Sequence, residues 1–436
     1  MMDSLPQNAS LCQPGLVSCE LCVQETTDNS RRLAARDPAW DVCRIVGMSV
    51  VATLHAAIAY MLFVMPGLLW IIRERGYGPR GITRLETLAS GESWTYDAIV
   101  WTGRAIGVAL ISVIAGYFSA RAIARREPGQ FVRERVKRLG VPMLVGMSTV
   151  LIFMYFLWAV GWVVQREAEW SHIAHVRFAK HIQPNLYGLG HLWYLQYLII
   201  YACVLAGVVW IARRVGVTRV RLNRAWTIAA MLLAASVCVG ALVIKPGVLL
   251  AFRNGFQPDW PKLLFFSGYF VLGLVMYGAN KGVEGKPRSV LLDVCIVGAL
   301  LGVVMYLPTA AAWMRGDTSD INRWLIAGGA TLLGWCAIGA IMMLARPVGR
   351  WMGERAAKIA DASYWVYMVH VPIQGIAILA LHFVDWPYSV KFVIVLIAGL
   401  GGAIATWPLV RTTRVGRWLG SREIAEKSGA GRTLGS

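Results

Sequence analysis

Apolar residues run along most of this chain in blocks too long for an ordinary core helix and too continuous for a half-buried strand. Stretches of roughly 17 to 25 residues, the length that crosses about 30 Å of hydrocarbon, lie near 43–66, 96–118, 140–163, 191–212, 225–244, 263–279, 289–310, 323–345, 363–383 and 389–410. Polar segments separate them. No period-two alternation runs through any block, which excludes an outer-membrane barrel. The pattern predicts an all-α integral membrane protein of about ten transmembrane helices. The membrane domain would cover 41–411, with a disordered tail over 1–40 and a short tail over 412–436.

Composition agrees with this reading: 57% of the 436 residues are hydrophobic, too many for a domain that must keep a wet surface. The net charge of +19 would suit nucleic acid if it lay on one soluble face. It does not: 28 of the Lys and Arg residues fall in the two tails and the even-numbered loops, against 13 in the odd-numbered loops. That split places both termini on the cytoplasmic side and implies membrane lipid rather than nucleic acid as the partner of the charge.

The tail before the first span holds Cys12, Cys19 and Cys22 but lacks the basic start, apolar middle and cleavage site of a signal peptide. Its "CELC" pair has no second Cys or His pair at zinc-site spacing, so no metal site is expected. Cys43, Cys203, Cys238, Cys295 and Cys336 lie in or beside spans, where cysteine serves as a small hydrophobe. No internal repeat of the transporter kind is visible.

The ionisable residues inside the apolar blocks change the picture most. In "DVCRIVGMSVVATLHAAIAYMLFVM" Arg44 and His55 are eleven residues apart. On a helix that is within about 20° of three full turns and a rise of about 16 Å, so both share one face, with His55 near the middle of the predicted span. A snorkelling arginine and a hydrogen-bonded core histidine would explain them. So would a functional site, because charge inside a bilayer is expensive. Arg104 sits about eight residues inside the second span, too deep to snorkel, and needs an anionic or carbonyl partner from the protein or a ligand.

The next segment, "SARAIARREPGQFVRERVKRLGVP", gathers Arg121, Arg125, Arg126, Arg133, Arg135, Lys137 and Arg138 in a predicted loop closed by Pro142. Topology and anionic lipid account for such a cluster, and paired guanidiniums also hold polyphosphate bidentately. In "SYWVYMVHVPI" Ser363, Tyr367 and His370 form a polar stripe that reads as an interhelical hydrogen-bond seam. No Asp or Glu stands near the middle of a predicted span, which disfavours a proton-coupled transporter. His172, His175 and His181, in the longest outer loop with Trp170, read as an interfacial segment or a glycan-facing lid rather than a metal site.

Taken in order, Arg44-x10-His55, "RVKRLGVP", "GHLWYLQYLIIY" and "ASYWVYMVHVPI" resemble the membrane-bound acyltransferase-three family. The stretch "HAAIAYMLFVMPGLLWII" and that from Arg104 to "AGYFSA" are most similar to its glucan-modifying, succinyl-transferring branch. "DVCRIVG" departs from the "D-x-L-R-G" start common in the family.

The resemblance implies a multi-pass protein of the bacterial inner membrane. It would move an acyl group from cytoplasmic acyl-CoA to a hydroxyl of an exported glycan or similar acceptor, with no tightly bound cofactor. Residue by residue it implies a catalytic role for Arg44 and His55 and donor binding by the pair Arg135 and Arg138. Arg121 and Arg126 join them as cationic neighbours. Arg104, His191, Trp193, Tyr367 and His370 match less well-defined positions.

In that chemistry His55 would act as general base or carry the acyl group briefly, Arg44 would orient the donor, and Arg104 would stabilise the oxyanion. A transporter or flippase of an anionic or lipid-linked glycan is the alternative that the same arginines would serve.

Overall fold

A computed structural model of the protein describes residues 37–63, 65, 94–164, 166, 169–173, 185, 187–217, 223–279, 289–413 and 416. Within them the chain is helical, without strands, and ten helices are long and apolar enough to cross a membrane. They are α1 (Pro38–Tyr60), α2 (Thr95–Ile123), α3 (Pro128–Val164), α4 (Gly190–Arg214), α5 (Arg224–Ile244), α6 (Trp260–Gly278), α7 (Ser289–Met314), α8 (Asp320–Met352), α9 (Ser363–Leu381) and α10 (Tyr388–Arg411). The tail with Cys12, Cys19 and Cys22, and loop residues His175 and His181, lie outside the described residues.

The helix starts follow local chemistry rather than hydropathy. α1 begins five residues before the predicted apolar block because Asp37 caps it, its side chain accepting from Ala39 N at 3.0 Å, and Pro38 occupies the first turn. α1 also stops sooner, at a tight turn over Ile58–Tyr60. His55 therefore sits near the C-terminal end of its span and not in the middle, a correction to the sequence expectation.

The predicted loop 119–139 is mostly helix as well. Only a short turn separates α2 from α3, so Arg133, Arg135, Lys137 and Arg138 ride on the first turns of α3. Charged residues keep good helix propensity, and an apolar window reports only the part that crosses hydrocarbon. Pro142 is inside α3 rather than at its start. Beyond it the helix widens over Met147–Leu151, where the Ser148 and Thr149 hydroxyls donate to the Val145 carbonyl at 3.1 and 2.7 Å.

α1, α2, α6 and α8 form the centre of the bundle, each more than half buried in its most apolar stretch. α7 packs on α8 with most of its length facing outward, α3 pairs with α4, and the α9–α10 pair leans on α1. Small residues set the closest approaches, as expected where lipid removes the hydrophobic drive between helices. Gly116 of α2 lies against the Phe270 carbonyl of α6, and Gly273 of α6 lies against the Val113 carbonyl of α2.

A side chain at either glycine would meet rigid backbone. Gly116→Leu or Gly273→Leu should separate α2 from α6 at a cost of at least ~1–3 kcal/mol, read as loss of the monodisperse peak after detergent extraction. An unchanged thermal midpoint would show that this contact does not hold the bundle.

Candidate functional site

The site is built where α1, α4 and α9 meet. α1 supplies His55, whose Nδ1 is 2.9 Å from the Val51 carbonyl and 3.1 Å from His370 Nε2. α9 supplies His370, fully buried, with Nδ1 2.7 Å from the Val366 carbonyl. Carbonyl oxygens only accept, so both Nδ1 atoms carry hydrogen. His370 Nε2 is then the acceptor facing His55, and the basic nitrogen of a neutral His55 is Nε2. The two rings lie 5.0 Å apart, centroid to centroid.

Why His191 joins them is written in the chain. Pro372 has no N–H, so the helix leaves the Met368 carbonyl four residues earlier without its usual donor. His191 Nε2 donates to that carbonyl at 3.1 Å, and its ring stands 5.9 Å from His370. The Tyr367 hydroxyl returns the connection by donating to the His191 carbonyl at 2.7 Å. One turn past His370, Gln374 Nε2 donates to the Ala52 carbonyl at 2.9 Å, fixing α9 against α1. Of the polar stripe read on the ninth block, Tyr367 and His370 thus form a seam between helices, which also orients the imidazoles, while Ser363 makes no side-chain bond to another helix among the described residues.

Arg104 lies beside this group, within electrostatic reach of His55. Its Nη2 donates to the carbonyls of Val248 and Ala251, both at 2.9 Å. The carbonyl partner that its depth demanded is therefore the segment between α5 and α6. Just after that segment, the first turn of α6 holds a second cation. Lys262, 3% exposed, donates to Arg253 O at 3.1 Å and Asn254 Oδ1 at 2.6 Å, and its Nζ is 3.3 Å from the centre of the Trp193 ring.

Among the described residues neither Arg104 nor Lys262 has a carboxylate within ion-pair distance. A partly buried Arg104 and a buried Lys262, satisfied by carbonyls and a ring face, leave this region positive, suited to negative charge. Trp193 thereby belongs to the Lys262 cage, not to the imidazole group.

Arg44 is not with the imidazoles. It pairs with Asp41 at 3.5 Å and lies over the Phe118 ring at 5.0 Å, and Arg135 Nη2 donates to the Phe118 carbonyl at 3.3 Å. Arg44 and Arg135 thus flank one residue of α2, three helical turns from His55. Arg138 and Arg121 are exposed on the same side, and Arg126 pairs with Glu134 at 3.0 Å. At the opposite end of α1, the buried Asp97 carboxylate accepts from the amides of Leu62 and Phe63, each at 2.9 Å, and fixes the chain as it leaves the span.

A bundle of ten membrane-length helices that carries imidazoles and cations in its interior defines a class, the multi-pass integral membrane proteins with polar groups inside the span. The acyltransferase-three family model, described as an acyltransferase domain, matches residues 37–408. The chain belongs to that family and is a multi-pass membrane acyltransferase.

It is also 22% identical over 276 residues to glucans biosynthesis protein C of Salmonella paratyphi B and of Salmonella dublin, a match covering 60% of this chain and 67% of each relative. No solved structure matches it.

Proposed function

We infer that this protein carries an acyl group from acyl-CoA on the cytoplasmic side of a bacterial inner membrane to a hydroxyl of a glucan or related glycan on the other side. The observation that carries the reading is the pair of contacts made by His55 Nδ1, 2.9 Å to the Val51 carbonyl and 3.1 Å to His370 Nε2, which supports Nε2 as the basic nitrogen of a neutral His55. Both termini are then cytoplasmic, with Arg44, Arg121, Arg126, Arg135 and Arg138 on the donor side. Guanidiniums there hold the nucleotide phosphates, and the three-turn spacing from Arg44 to His55 is spanned by an extended pantetheine arm.

His55 Nε2 takes the proton from the acceptor hydroxyl as its oxygen adds to the thioester carbonyl. The charge that develops on the carbonyl oxygen faces Arg104, whose Nε and Nη1 hydrogens are not used by the Val248 and Ala251 carbonyls. Collapse breaks the C–S bond, and the CoA thiolate receives the proton from His55. The acyl–oxygen ester and free CoA thiol balance the reaction.

The test is transfer of an isotopically labelled acyl group from acyl-CoA to a glucose oligosaccharide by purified protein in lipid, with the product weighed by mass spectrometry. Arg138→Gln with Arg135→Gln should raise the KM for acyl-CoA by about tenfold and lower kcat less, because phosphate contacts are made equally in ground and transition states. A donor KM unchanged in the double variant would leave these arginines as topology determinants only. Absence of any acylated saccharide from the wild-type protein would remove the glycan acceptor.

A further inference from the structure

Beyond the C-terminal end of α1, away from the arginines, a cavity of about 650 Å³ opens at the turn between α9 and α10. We propose that this cavity is the binding site of the acceptor saccharide, held by Trp386, Asp385, Tyr96 and Tyr388; the proposal rests on the acyl-transfer reading above. Three observations support it.

The first is chemical. Trp386, Tyr388 and Tyr96 bring aromatic faces to one opening, with the Asp385 carboxylate and Lys391 between them. Aromatic faces take the apolar C–H faces of a sugar ring, while carboxylate and hydroxyl groups take its hydroxyls. Within the described residues, no protein hydrogen bond or ion pair occupies the Asp385 carboxylate, the Trp386 indole N–H or the Tyr96 and Tyr388 hydroxyls. His382, which also lines the cavity, has a buried Nδ1 without a partner.

The second is a buried polar floor. Trp and Tyr are ordinary at a membrane boundary, but a belt residue faces lipid. Here Tyr96 is 7% and Lys391 3% exposed, so the floor of an open recess is drawn inward, while Phe383, Asp385, Trp386, Pro387 and Ser389 stand exposed around it. A buried ammonium beside uncommitted hydroxyls makes a polar recess, which a lipid tail would not select.

The third is place. Tyr60, the last residue of α1, packs at a tilt against Tyr96 at 5.4 Å and Tyr388 at 6.0 Å between ring centres. His55 precedes Tyr60 by five residues on the same helix. The cavity therefore borders the end of α1 nearest His55, opposite the Arg44 and Arg135 end. Donor and acceptor would approach the imidazole from the two ends of one helix.

The experiment uses full-length protein in lipid nanodiscs and a glucose hexasaccharide as probe, with no acyl-CoA present for binding and with acyl-CoA added for turnover. Wild type should bind the hexasaccharide. Trp386→Ala and Asp385→Asn should each weaken binding and raise the acceptor KM by about tenfold, with donor KM and thermal midpoint unchanged. Trp386→Phe, which keeps a ring face, should recover most of the affinity.

Trp386→Ala and Asp385→Asn with wild-type acceptor KM, while transfer proceeds, would overturn the site and leave the acyltransferase reading standing. Trp386-dependent binding without transfer would do the reverse, keeping the site and removing the reading. No binding and no transfer by wild type would overturn the site too.

Discussion

Replacing His55 by alanine is expected to lower acyl transfer by about 10²- to 10⁴-fold, the range for loss of a general base, while the protein inserts and binds acyl-CoA as before. The reason lies in the shortage of substitutes. Among the described residues no carboxylate reaches the imidazole group: Asp97 is committed to the amides of Leu62 and Phe63, and Asp41 to Arg44 three turns away. The neighbouring imidazoles are fixed in place, His191 by its Nε2 bond to the Met368 carbonyl and His370 by its Nδ1 bond to the Val366 carbonyl, so neither ring can move into the position of the missing one. Turnover and donor binding measured on one preparation decide the matter, and full turnover by His55→Ala would remove the catalytic assignment.

His370 should be the next most damaging position, and its effect separates orientation from simple packing. As acceptor from His55 Nδ1–H, it holds the ring so that Nε2 is the basic nitrogen. His370→Ala should reduce kcat by about 10²-fold with little change in donor KM, since a misoriented base weakens the transition state rather than ground-state binding. His370→Gln, whose amide oxygen can accept from the same Nδ1–H, should restore a measurable part of that loss. His370→Phe fills the volume without an acceptor and should not. If phenylalanine rescued as well as glutamine, His370 would be a packing residue of the seam, and the orienting role would fall.

What the sequence carried most plainly was the number of spans and their order. Hydrocarbon fixes the length of an apolar helix, so each of the ten blocks is legible by itself, and each of the ten helices overlaps one of them over most of its length. Their ends were less legible because capping and helix propensity, not hydropathy, set them. Asp37–Pro38 drew α1 back, and the helical first turns of α3 took the arginines out of a loop. The early start and early stop of α1 put His55 near the end of its span.

The residues of the site were also marked in the sequence, because an imidazole or guanidinium in an apolar block stands out as a cost that something must offset. Their partners were not. His55 and His370 are 315 residues apart, and their 3.1 Å contact depends on how α9 leans on α1. Pro372 announced a carbonyl in need of a donor, but only packing selected His191 to supply it. Arg104 announced a need for an acceptor, but only the fold turned the Val248 and Ala251 carbonyls toward it.

Lys262 was missed outright, because nothing local distinguishes a loop lysine from one enclosed by Trp193 and Asn254. Sequence by itself thus determined which helices form and which groups they must carry into the membrane, since both follow from transfer between water and hydrocarbon. Tertiary structure alone decided which of those groups meet, since hydrogen bonds between helices depend on register and crossing geometry that no single segment contains.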